Sequence, residues 1–133
     1  MAQIGITKIL DGPRNAVFHV AIEGDGTGDE TDFVLIDPAT SFDPAMPAEP
    51  GLTLDHLWYD LSGFSAKLEF DYLASDELVW SMSGDQYGDV DLSCFGGLKD
   101  RSPVLDGLGK LKITTRGLAA NETGVIVIKV RKD

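Results

Sequence analysis

Hydrophobic and polar residues alternate along this chain with a period of two rather than 3.6. The clearest stretch is Phe64-Ser65-Ala66-Lys67-Leu68-Glu69-Phe70-Asp71-Tyr72. Phe64, Ala66, Leu68, Phe70 and Tyr72 share one face, and Ser65, Lys67, Glu69 and Asp71 share the other. That pattern predicts a half-buried strand with one wet face. Phe18, Val20 and Ile22 alternate in the same way with Val17, His19 and Ala21, as do Leu111, Ile113 and Thr115 with Lys110, Lys112 and Thr114. Ile4 with Ile6, Leu78 to Met82, and the β-branched run Val125 to Val130 predict three further strands. Phe33 to Ile36 is a short unbroken apolar run, expected of a strand covered on both sides. Leu54 to Leu61 is ambiguous. Leu54, Leu57, Trp58 and Leu61 fit helical spacing, whereas Leu57, Tyr59 and Leu61 fit a strand; the aromatic content and the following Ser62-Gly63 favour the strand.

Glycine and aspartate punctuate these segments as turns require. Two regions are irregular. Residues 37–51 hold four of the six prolines. Proline removes a ladder donor, so this segment cannot be a central strand and is expected to be a long loop or arm. Residues 96–109 are likewise turn-rich. The expected fold is all-β: an antiparallel β-sandwich or jelly roll of about seven or eight strands. At 133 residues it is expected as a single domain spanning 1–133, with the irregular Pro-rich loop at 37–51.

Charge changes the picture of partners. The formal net charge is −11. Residues 1–98 hold three basic and 18 acidic side chains, while residues 99–133 hold eight basic and four acidic ones. Phosphate backbones and anionic lipid surfaces favour the opposite sign, so no nucleic-acid partner and no membrane partner is expected. The uneven placement would steer identical copies, or a complementary partner, into one orientation; its plainer reading is an acidic surface with a basic edge strand. No apolar run approaches the ~20 residues of a membrane helix. The opening MAQIGITKIL lacks a basic n-region, so no signal peptide is expected. The single cysteine, Cys94, excludes an internal disulfide framework.

Candidate chemistry is sparse. Cys94 with His19 or His56 would supply a thiol and a base, but no local motif positions them, and Leu92-Ser93-Cys94-Phe95 reads as a core setting. Asp25, Asp29, Glu30 and Asp32, and separately Asp85, Asp89 and Asp91, offer oxygen ligands for calcium. Neither group matches the calcium-loop spacing, and turn chemistry explains both. Gly24 to Gly28 lacks the Lys-Ser/Thr of a phosphate loop and sits among carboxylates. A carboxylate pair for glycoside hydrolysis depends on distances that a sequence does not contain. Trp58, Tyr59 and Trp80 would make a sugar-stacking platform if they shared a face, although strand aromatics usually serve the core.

The C-terminal part carries a resemblance. Phe95-Gly96-Gly97-Leu98-Lys99-Asp100, then Gly107-Leu108-Gly109-Lys110-Leu111-Lys112-Ile113-Thr114-Thr115-Arg116-Gly117, then Thr123 to Lys132, resembles small structural proteins of tailed bacteriophages. In those, an "FGGL-D" turn leads to a "G-I-L-TT-G" strand and a final "Y-I-L-V-K" hairpin strand. Leu78-Val79-Trp80 fits the same layout, and the likeness covers roughly residues 57–133. This chain departs from it at Gly124-Val125, where an aromatic is expected. The resemblance implies a virion component without enzymatic activity or cofactor, most simply a capsid decoration or cement protein that clamps the shell lattice through strand edges and loops. Its partners would be the major capsid protein or other virion proteins and, as a homo-oligomer, further copies of itself; it would be made in the host cytoplasm and reside on the capsid surface. The candidate interface residues are Phe42 and Met46 in the Pro-rich loop, and Lys129, Arg131 and Lys132 in the basic final strand. The alternatives are a neck, tail or fibre-associated protein, a carbohydrate-binding sandwich module and, third, an enzyme.

Overall fold

The computed structural model describes residues 3–38, 41, 42, 52–71, 77–99 and 110–132. Within these lie ten strands: β1 (Gln3–Asp11), β2 (Asn15–Glu23), β3 (Phe33–Ile36), β4 (Leu52–Leu61), β5 (Ser65–Phe70), β6 (Glu77–Met82), β7 (Gln86–Asp91), β8 (Leu98–Lys99), β9 (Leu111–Arg116) and β10 (Thr123–Lys132). A single 3-10 turn, Ser93–Phe95, separates β7 from β8. No helix among the described residues is long and apolar enough to cross a membrane.

The strands form two antiparallel sheets. The larger runs β1-β2-β10-β4-β7, with β8 pairing the other stretch of β4; the smaller runs β3-β9-β5-β6. The alternating side chains face one another between them. From the large sheet come Phe18, Val20 and Ile22, Leu57 and Leu61, and Ile126, Ile128 and Val130; from the small one come Ala66, Leu68 and Phe70, Leu111 and Ile113, and Met82. All are buried in one core cluster. The architecture is therefore an all-β sandwich. The eight segments expected from alternation are all strands. The two additional ones, β7 and β8, are a Gly- and Asp-rich strand and a two-residue strand, neither with enough apolar residues to register as a period.

The ambiguity at Leu54–Leu61 has a physical cause. Along β10, Lys129 is opposite His56 and Val130 is opposite Leu54, so Asp55 is an extra residue in β4. Such a bulge shifts the strand's alternation by one position. Leu52 and Leu54 point inward on one side of it, and Leu57 and Leu61 on the other, which produces the three-residue step that imitates a helix. A register shift between Val34 and Ile36 does the same in β3 and buries both Leu35 and Ile36. The unbroken apolar run is thus an edge strand with a bulge, not a strand covered on both sides.

The basic C-terminal strand is not at an edge either. β10 lies between β2 and β4 and pairs with both along its length. Its apolar inner face earns this position: Ile126, Ile128 and Val130 are fully buried. Gly124, one of the two positions where the phage-like pattern expects an aromatic, has no room for a side chain. A Cβ there would stand 2.8 Å from both Leu61 Cδ2 and Phe64 Cζ. The Phe64 ring fills the volume instead. Gly124→Val should destabilise the chain by about 1–3 kcal/mol through overpacking, measured by urea unfolding.

On the outer face of the small sheet, Lys112 lies between Asp71, at 3.2 Å, and Asp32, at 3.6 Å. Its side chain is only 9% exposed.

Candidate interaction surface

The five sequence-derived interface residues are not one patch. Phe42 is 4% exposed and packs edge-on against Phe18, with ring centroids 5.8 Å apart. It caps the core, so its assignment to an interface is corrected: an isolated aromatic with no periodic partner is drawn under the nearest open end of the core by burial of its area. Met46 lies outside the described residues, as does most of the 37–51 loop. Arg131 is engaged within the fold. Its Nη2 donates to the Gly96 carbonyl at 2.9 Å, and its Nη1 stands 3.4 Å from Oδ1 of the buried Asp55. That oxygen accepts no hydrogen bond among the described residues, so the guanidinium is the charge that compensates it. Lys129 is half-buried on the outer face of β10. Lys132 closes the same strand, and its side chain is outside the description.

Lys129 belongs to a nine-residue lattice on the outer face of the large sheet. Strand registers place Val125, Val127 and Lys129 of β10 beside Asp60, Trp58 and His56 of β4, and these beside Tyr87, Asp89 and Asp91 of β7. His56 stacks on Trp58, with centroids 3.7 Å apart and planes at 8°. Its Nε2 donates to Asp89 Oδ1, and its Nδ1 is 3.9 Å from Asp91 Oδ1. Tyr87 is 84% exposed and Val125 42%. A shallow hollow of about 370 Å³ runs between Trp58, Tyr87, Val125 and Val127. A solvent-facing sheet face is normally polar; here aromatic and aliphatic side chains are interleaved with carboxylates. On the opposite face of the same strands, Gly88 makes room for Tyr59: a Cβ there would be 2.3 Å from the Tyr59 ring, which lies across it.

The proposed sugar platform is not assembled as expected. Trp58 is on this outer face, Tyr59 projects from the other side of β4, and Trp80 is in the small sheet. Both Tyr59 and Trp80 pack partly against the core. Sequence reasoning missed Tyr87, and took Asp89 only as part of an acidic turn, because β7 resembles a turn; the signal of a strand there is the alternation of Tyr87, Asp89 and Asp91 with Gly88 and Val90.

The acidic turns have structural work. Asp25 accepts from the Thr27 hydroxyl and backbone N–H, and the hydroxyl bond chiefly lowers its carboxyl from 3.8 to about 2. Asp91 accepts from the Ser93 hydroxyl at 2.5 Å and from its N–H at 3.0 Å, and the hydroxyl foremost lowers its pKa. Asp29 ties the β2–β3 connection to the β9–β10 turn. It accepts from the N–H groups of Leu118 at 2.8 Å and Gly117 at 3.1 Å, and from Thr115 Oγ1 at 3.1 Å. The Leu118 bond is the main cause of its lowered pKa. Asp85, at φ 59°, accepts from Gly63 N at 2.7 Å and joins two of the crossings between sheets. Among the described residues no group of three His, Cys, Asp or Glu side chains converges as a metal site requires.

Asp29 also sets a pH dependence. Its folded pKa lies below the ordinary 3.8, so the stabilisation is present above about 4 and is lost as pH falls through the folded value. Asp29→Asn is expected to reduce stability at pH 7 and to flatten the acid limb of a thermal-unfolding series. An unchanged limb would contradict the bonds described.

The β1 edge is the second exposed apolar surface. Among the described residues no strand pairs with its outer side. Ile6, Ile9 and Leu10 are all exposed there.

No protein-family model matches the chain, and no match is found among curated proteins. Two solved structures align over nearly all of it. CapF with the inhibitor 3-isopropenyl-tropolone aligns over 97% of the chain at 13% identity and a TM-score of 0.38. The capsular polysaccharide assembling protein CapF from Staphylococcus aureus aligns over 96% at 9% identity and a TM-score of 0.33. The chain spans 30% and 28% of the lengths of those two. The expectation that the chain lacks enzymatic activity is withdrawn. So distant a likeness in turn brings no activity to this chain. That expectation came from the phage resemblance and from a sequence without a reactive motif, and neither shows what strand pairing brings together: His56 of β4 lies beside Asp89 and Asp91 of β7, with Cys94 Sγ 3.7 Å from the Asp91 carbonyl.

Proposed function

We propose that this chain is a virion structural protein of a tailed bacteriophage, and within the virion a capsid decoration protein docked on the outside of the head shell. The observation that carries the docking part is the apolar content of the outer face of the large sheet, with Tyr87 and Val125 exposed beside Trp58 and Val127. Exposed apolar clusters of this kind mark contact surfaces. The virion part is supported by the resemblance of residues 57–133. In this reading the partners are the major capsid protein and further copies of the chain, and many identical contacts add through avidity. Production is in the host cytoplasm, followed by assembly onto the shell.

A copy count by quantitative mass spectrometry of purified particles tests the reading. Copies in fixed proportion to the major shell protein are expected, with occupancy reduced by Tyr87→Ser/Val125→Lys. A handful of copies per particle would instead indicate a neck, tail or fibre position, and absence from particles would overturn the proposal. The carbohydrate-binding reading keeps one specific observation, Trp58 beside Asp60 and Asp89. It requires saturable glycan binding that Trp58→Ala abolishes.

A further inference from the structure

We infer that β1 is a self-pairing edge: two copies of the chain join antiparallel through Gln3–Asp11, extending the two large sheets into one. Three observations lead there.

The first is the mismatch between the layers. The registers place Ile4 opposite Ile22 and Ile6 opposite Val20. Residues directly opposite in a ladder point to the same face, so Ile4 and Ile6 point to the core side. Ile22 and Val20 are buried, but Ile6 remains 38% exposed and Ile4 only half-buried. Among the described residues no strand of the four-stranded sheet covers the inner face of β1 fully, and its isoleucines stay partly exposed.

The second is charge. Long apolar edges are usually guarded by charges, prolines or shortness. The other outer strands follow that rule: β7 carries Asp89 and Asp91, β6 begins at Glu77, and β3 has four residues preceded by Asp32. β1 carries a single carboxylate, Asp11 at its far end, and residues 3–10 contain none in a chain of net charge −11. Their one charge, Lys8, is engaged with Asp11 at 3.0 Å and the Ser41 carbonyl at 3.1 Å. Copies that repel one another elsewhere meet here without repulsion.

The third is symmetry. A two-fold axis demands a strand that reads alike in both directions. Gln3-Ile4-Gly5-Ile6-Thr7 does so about Gly5: polar, Ile, Gly, Ile, polar. Pairing centred on Gly5 sets Ile4 of each copy opposite Ile6 of the other. The partly exposed isoleucines then cover one another.

This inference deepens the self-association in the reading above and rests on it for its biological setting, yet the two fail separately. A chain that dimerises through β1 but never enters a particle keeps this inference and loses the virion assignment; a chain bound to particles but monomeric at all concentrations does the reverse.

The test uses the full chain. Sedimentation equilibrium is expected to show a reversible dimer. Ile6→Lys should weaken it about tenfold or more, because opposed like charges enter the edge, while Leu78→Lys at the exposed start of β6 leaves it unchanged. Since Cys94 is the only cysteine, Gly5→Cys in a Cys94→Ser background should give a covalent dimer on mild oxidation. Directly opposed residues lie within disulfide reach. Thr7→Cys in the same background should not cross-link, being set opposite Gln3. A monomer at every concentration, a dimer indifferent to Ile6→Lys in a variant of unchanged circular dichroism, or cross-linking through position 7 instead of 5 would each overturn the inference.

Discussion

Phe70→Ala is expected to destabilise the chain by about 3–5 kcal/mol, read as a lowered urea midpoint at unchanged slope. The Phe70 ring is among the largest fully buried side chains, next to Leu111 across the ladder and on the same face as Leu68 and Ala66. Truncation removes its transfer free energy and leaves a cavity lined by side chains from two sheets, which cannot collapse without moving strands. The contrast is with Lys67, on the opposite face of the same strand and half exposed. Lys67→Ala should stay within about 0.5 kcal/mol. A near-neutral Phe70→Ala would mean that the faces of β5 are reversed. Asp71 is a different case. Alternation alone makes it a replaceable surface residue, but it holds the nearly buried ammonium of Lys112 at 3.2 Å. Asp71→Ala is therefore expected to cost more than Lys67→Ala.

Arg131→Met should cost about 3 kcal/mol, close to the core truncation although the side chain is partly exposed. Asp55 is the bulge residue of β4, and its carboxylate is buried where the Gly96-Gly97 turn folds over it. A Cβ on Gly97 would stand 2.9 Å from Asp55 Oδ1. Removing the guanidinium leaves a buried carboxylate without its counter-charge. The double variant Arg131→Met/Asp55→Asn should recover part of the loss, with a coupling of about 1–3 kcal/mol. Strict additivity in the cycle would show that the two groups do not compensate each other.

These cases also mark what could be read from the sequence. Where a strand has one apolar and one polar face, as in β2, β5 and β9, the period of two identified both the strand and its buried residues. Where a bulge intervenes, as at Asp55 and between Val34 and Ile36, the period slips and the local pattern imitates a helix or a doubly covered strand. β7 escaped notice for a different reason. Its inward positions are Gly88 and Val90, and the Tyr59 ring supplies the bulk that Gly88 lacks. Apolar content contributed from a neighbouring strand leaves no trace in the segment that benefits. The interface residues fared worst. In the sequence Phe42 and Arg131 stand out as an unpartnered aromatic and a terminal charge, and both have partners, Phe18 and Asp55, that are distant in sequence. The outer-face lattice depends on pairing β4 with β7 and β10, which only the register fixes.

The central place of β10 has a consequence for biogenesis. β2 and β4 touch the same sheet only through residues 123–132, which are synthesised after every other strand. Until they leave the ribosome, two apolar ladders stand open on the nascent chain, the β1–β2 hairpin and the β4–β7 pair. Closing the first needs contacts across a hundred or more positions, a slow step in chains of this topology. The isoleucine-rich first hairpin must wait longest, so during translation it is the natural target for chaperone capture and the first place from which aggregation would start.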